Sequence, residues 1–148
     1  MVPDRIEREV VIEAPVERVW QVLTQPEHVG TWFGDAGAKI DLRPGGAMTI
    51  SWAEHGTVRA RVAKVEPHSA FAFRWADKMD AEPTDDHSTL VEFDLAAEGD
   101  GTRLRVVETG FSTLAIPEAE RRAKLDGNTE GWRIELDALK EYAARVAA

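Results

Sequence analysis

The chain has 148 residues, a formal net charge of -9 and no cysteine. That length suits one domain, residues 1–148, able to bury roughly two thirds of the surface its unfolded form exposes, so no disulfide or metal staple is required. The acidic balance argues against nucleic-acid binding, which needs a basic footprint to displace counterions, and no run approaches the ~18 apolar residues of a membrane span.

The opening, MVPDRIEREV, has neither the apolar core of a signal peptide nor the basic pattern of a presequence, so the expectation is a cytoplasmic protein. Ile6 to Glu13 reads as a first strand, with Ile6, Val10 and Ile12 on one parity. After Pro15 the apolar residues Val16, Val19, Trp20 and Leu23 fall at i, i+3, i+4 and i+7, the spacing of a helix that ends near Thr24. Pro26 opens a second short helix with Val29, Trp32 and Phe33 on its apolar side and Gly34 as its stop. Together they make a two-helix hairpin with nothing basic to mark a recognition helix.

From Ala36 the period shifts towards two. Ala38 to Leu42 reads as a short strand, Arg43 to Gly46 as a turn, and Met48, Ile50 and Trp52 as one face of the next strand. Beyond Gly56, Val58, Ala60 and Val62 alternate with Arg59 and Arg61, an apolar face opposite a wet one. Phe71, Phe73 and Trp75 alternate next, as do Val91, Phe93 and Leu95. Between those strands, DKMDAEPTDD reads as an exposed acidic loop; it lacks the order of an EF-hand, and no metal site is expected there. Asp100-Gly101 marks a tight turn into a last strand with Leu104 and Val106 on one side.

After an irregular segment, Phe111 to Leu125, one amphipathic helix is expected from Asn128 to Ala148. Trp132, Leu136, Leu139, Ala143 and Val146 recur at spacings of four, three, four and three, which puts them on one face. A helix of this kind has to lie on something apolar, and strands that precede it supply an antiparallel sheet. The pattern is that of an α+β domain ordered β-α-α-β-β-β-β-β-β-α.

Four segments, EAPVERVWQVLTQPEHVGTWFG, HGTVRARVAKVEPHSAFAFRW, GDGTRLRVVETGF and GWRIELDALKEY, resemble in order and spacing the bacterial proteins similar to the activator of the heat-shock-protein-90 ATPase, in the SRPBCC or START-like superfamily. The resemblance spans nearly the whole chain and implies the helix-grip fold, a curved antiparallel sheet wrapped around a long C-terminal helix. It also implies a hydrophobic-ligand pocket between sheet and helix. The two-His-one-carboxylate cluster of the oxygenase branch has no match here.

The chemistry is carried mainly by rings. Five tryptophans are present; Trp52, Phe73, Trp75 and Phe93 fall on inward faces, Trp32, Phe33 and Phe111 close one end, and Trp132 and Leu136 come down from the helix. These nine are the candidate ligand-binding residues, since small-molecule sites are lined by apolar and aromatic groups with a few placed polar atoms. Each of them is equally at home in a plain packed core. His28, His55, His68 and His87 sit in or beside turns, and neither a metal nor a cofactor is expected. His55 with Glu54, at the end of the Trp52 strand, is the one acid-base candidate; no Gly-x-Ser-x-Gly element or cysteine supplies a nucleophile, and no catalytic residue is assigned. The leading expectation is binding of a small apolar or aromatic molecule. A co-chaperone-like module contacting a chaperone or a second copy of itself, and a cyclase or hydrolase using His55 or Glu54, stand as alternatives.

Overall fold

Alternation of apolar and polar residues, punctuated by Gly and Pro, produces strands β1 (Arg5–Ile12), β2 (Ala38–Ile40), β3 (Ala47–Trp52), β4 (Gly56–Glu66), β5 (Ala70–Ala76), β6 (Ser88–Glu98) and β7 (Gly101–Thr109). Helical periodicity produces α1 (Val16–Thr24), α2 (Pro26–Trp32) and α3 (Glu118–Ala147). These elements come from a computed structural model that describes residues 3–147. Ala148, the expected end of the last helix, lies outside the described residues.

The strands form one antiparallel sheet in the order β1-β7-β6-β5-β4-β3-β2. Strands β2 to β7 are sequential neighbours, while β1 returns to pair with β7, Val10 opposite Leu104. A register shift in β4 between Val62 and Lys64 marks a bulge, the device that bends a strand and lets a sheet curve. Helix α3 lies along β1 and reaches α1 and α2, so the sheet and the short helices grip it. Outward-facing charges on the opposite side pair across strands, as in Arg105 with Glu7 and Arg103 with Glu9 and Glu98.

The short helices are fastened from both ends. Pro26 stands at the start of α2, where its missing N–H costs nothing. The indole of Trp32 donates to the Val22 carbonyl at 2.8 Å, which joins α2 back to α1. Trp32 is buried. At the other end of α3, Nδ1 of His28 and the Tyr142 hydroxyl are 2.7 Å apart and tie α2 to the last turns of the helix.

The final helix starts earlier than its apolar period indicates. It begins at Glu118, after a single 3-10 turn at Phe111–Thr113, so much of the segment expected to be irregular is helical. The reason is local: Glu118 and Glu120 complement the positive end of the helix dipole, but the first turns carry few apolar residues and Gly127 and Gly131 interrupt the pattern. Leu125, Trp132 and Leu136, all buried, hold this stretch helical through tertiary packing.

Candidate functional site

Where β5, β6, β7 and α3 meet, the centre of the protein is filled with rings. Phe33, Trp75 and Trp132 lie with centroids 5.6 to 5.8 Å apart. Trp52 meets Phe33 edge-on at 5.5 Å, and Phe93 meets Trp132 edge-on at 5.7 Å. Such offset and edge contacts suit the ring quadrupoles and leave little empty volume. These side chains fill the centre of the space between sheet and helix.

Within this apolar mass sits one carboxylate. Glu108 follows Leu104 and Val106 on the inward parity of β7 and is fully buried. Its oxygens accept five hydrogen bonds. One comes from Nε1 of Trp75 at 2.8 Å, one from the Thr89 hydroxyl at 2.6 Å and one from Nε1 of Trp132 at 2.8 Å. The other two come from Nδ2 of Asn128, at 3.1 and 3.0 Å. The donors come from β5, β6 and α3, so one side chain on β7 joins three elements. A buried carboxylate without such partners is severely destabilising; with them it specifies how sheet and helix seat on each other. No motif marks Glu108, but a charge continuing the Leu104, Val106 alternation is a signal in its own right.

The chain leaves β7 through Gly110, whose φ of +107° lies in the left-handed region that favours glycine. That turn sends Phe111 into the core, where it is fully buried.

Beside the ring cluster a cleft of about 200 Å³ opens between the ends of β3 and β5 and the first half of α3. Its walls include Trp52, Val58, Trp75, Met79, Lys124 and Asn128, with Asp77 and Lys78 at the margin. At Gly34 a Cβ would lie 2.7 Å from the Ser51 carbonyl oxygen, so only glycine lets the chain leaving α2 approach β3 this closely. The indole of Trp52 donates to the Phe33 carbonyl at 2.9 Å, which fixes the ring that forms the wall.

Of the nine sequence candidates, Trp52 and Trp75 line this cleft; Trp32, Phe33, Phe73, Phe93, Phe111, Trp132 and Leu136 are packed in the core. Most residues of the acidic loop are exposed, but its first, Asp77, is tucked in. The Asp77 side chain is 2% exposed and 3.0 Å from Nδ1 of His87, and the Lys124 ammonium donates to the Asp77 carbonyl at 3.0 Å. Met79 from the same loop faces the cleft. Glu54 and His55 are exposed at the β3–β4 turn and do not belong to the cleft wall. No group of three or more potential metal ligands occurs among the described residues, and no helix among them is long and apolar enough to cross a membrane.

Comparison with known proteins bears on this architecture. The family described as Activator of Hsp90 ATPase homolog 1-like protein matches residues 13–144. Protein MLL2253 from Mesorhizobium loti superimposes with a TM-score of 0.77 at 25% identity, over 95% of this chain and 97% of that one. CalU16 from Micromonospora echinospora gives 0.67 at 26% identity, over 93% and 73%. A solution structure of an Aha1 dimer from Colwellia psychrerythraea gives 0.75 at 18% identity, over 97% of each, a likeness of fold alone. No curated protein matches the chain.

Proposed function

From the premise that the chain belongs to the family of Activator of Hsp90 ATPase homolog 1-like proteins, we propose that it binds a small aromatic molecule in the cleft bordered by Trp52 and Trp75. The observation that carries this reading is the cleft's construction: two indole rings, Val58 and Met79 offer apolar surface, while Asn128 and Lys124 add polar atoms. Sites for small molecules combine such walls with a few polar groups. At about 200 Å³ the cleft is smaller than the ~300 Å³ at which drug-sized pockets begin, so one or two fused rings fill it.

The groups at the cleft able to exchange a proton are Asp77, Lys78 and Lys124, and two of these are already engaged, Asp77 with His87 and Lys124 with a backbone carbonyl. Binding by shape and burial is the reading that fits this inventory best. Calorimetric titration of phenols, indoles and aromatic acids into the wild-type protein and Trp52→Ala tests it. At least one class binds the wild type and loses about tenfold or more in the variant, the loss expected from removing a stacked ring. No binding from any class, or equal affinity in Trp52→Ala, overturns the reading and favours a protein-contact role instead.

A further inference from the structure

Asn128 is where the buried carboxylate meets the cleft. Its Nδ2 lies within 3.1 Å of both Glu108 oxygens, and those oxygens also receive two indole N–H groups and a hydroxyl. A carboxylate accepting from indoles offers lone pairs on every side, so the carboxamide must turn its NH2 towards it; the flipped amide would set oxygen against oxygen. The orientation of Asn128 is thus dictated by Glu108.

The consequence lies at the other end of the amide. Oδ1 of Asn128 accepts no hydrogen bond from the described residues, yet the sealed side-chain atoms without a partner are Oδ1 of Asp77 and Nε of Arg121. The Asn128 oxygen is therefore reachable, on a residue that lines the cleft. The other polar atoms of the walls are mostly committed: the Trp52 indole N–H to Phe33 and the Trp75 indole N–H to Glu108 and Thr89. What the cleft presents beside the Trp75 ring is a fixed acceptor.

Resting on the cleft reading above, we infer that Asn128 selects aromatic ligands that carry an N–H or O–H group, with Glu108 as the positioning residue that holds its carboxamide oxygen ready. A ring whose donor reaches Oδ1 gains a hydrogen bond at no cost in orientation. A methyl-capped isostere desolvates that oxygen and leaves it unpaired, the situation in which polar sites discriminate most strongly. A carboxylate in the same place meets oxygen with oxygen.

The test uses indole, 1-methylindole and benzoate as probes, titrated calorimetrically and followed through the tryptophan indole N–H signals of the full chain. On the wild type, indole binds about tenfold more tightly than 1-methylindole, and benzoate binds no better than the methylated ring. In Asn128→Leu the indole to 1-methylindole ratio falls to about twofold or less, because indole loses its acceptor and 1-methylindole no longer strands an unpaired oxygen. Glu108→Gln, whose amide can donate to Asn128 and turn it round, lowers the same ratio; should that variant fail to fold, Asn128→Leu decides. Equal binding of the two indoles to the wild type, a ratio unchanged in Asn128→Leu, or preferred binding of benzoate overturns the assignment and leaves the cleft reading standing. Silence from all three probes on a folded wild type removes both.

Discussion

The surroundings of Glu108 and the cleft beside it share Trp75 and Asn128, yet they are finished to different degrees. Around Glu108 both oxygens are satisfied and the rings are in contact on all sides. A few ångströms towards α3's start, Met79 is 44% exposed and Asn128 keeps an oxygen that no described residue uses. Complete satisfaction is what stability demands of a buried polar group, whereas an unused acceptor at an apolar wall is what recognition demands. The same two side chains serve both ends.

The largest effect comes from breaking the closed region. Glu108→Ala orphans the Trp132 indole N–H, the Thr89 hydroxyl and the Asn128 carboxamide, and leaves the Trp75 indole with Thr89 alone; at about 1–3 kcal/mol for each orphaned group the total approaches the whole stability of a domain. The expected result is a chain without a cooperative thermal transition by circular dichroism, against a near-normal melt for Lys124→Ala at the cleft. Trp132→Ala follows, at about 3–5 kcal/mol by denaturant titration, because it empties a large buried volume and removes a donor. Trp132→Phe keeps most of the volume and loses about 1–3 kcal/mol, the share due to the hydrogen bond with the carboxylate.

At the cleft the balance inverts. Trp52→Ala removes a half-buried ring and one hydrogen bond, costing about 1–2 kcal/mol in urea while abolishing the aromatic wall. A variant as unstable as Trp132→Ala would place Trp52 with the closed region instead.

The smallest effect separates both regions from the flank of α3. Burial pushes the half-buried Glu135 carboxyl up from 4.5 to about 7. The folded protein then holds that proton more tightly than the unfolded chain, so stability is undiminished below pH 4.5 and is lost as pH rises through about 7. Glu135→Gln should melt like the wild type at pH 4 and slightly higher at pH 8. Parallel melting curves across that range would show that Glu135 is well solvated.

The strands were legible because inward and outward positions alternate in β3, β4, β6 and β7, and the short helices because Pro15 and Pro26 precede apolar residues at helical spacing. The start of α3 was not legible, since a run of charges followed by Gly127 and Gly131 carries no apolar period and is held helical by what it packs against. The aromatic residues were readable as inward-facing, but their division was not. Whether a ring fills a core or lines a cleft depends on how close its neighbours come, and at the cleft that is set by the loop that brings Met79 and Asp77 to α3.

By itself, the order of residues determined the α+β architecture, because periodicity and turn chemistry act over a few neighbours at a time, while the resemblance of four segments to a known family implied the grip of sheet on helix. Tertiary structure alone decided the role of Glu108. Its four donor residues come from positions 75, 89, 128 and 132, and their convergence is a matter of strand register and helix seating. The physical reason is that a hydrogen bond is made over about 3 Å in space, whatever the distance along the chain.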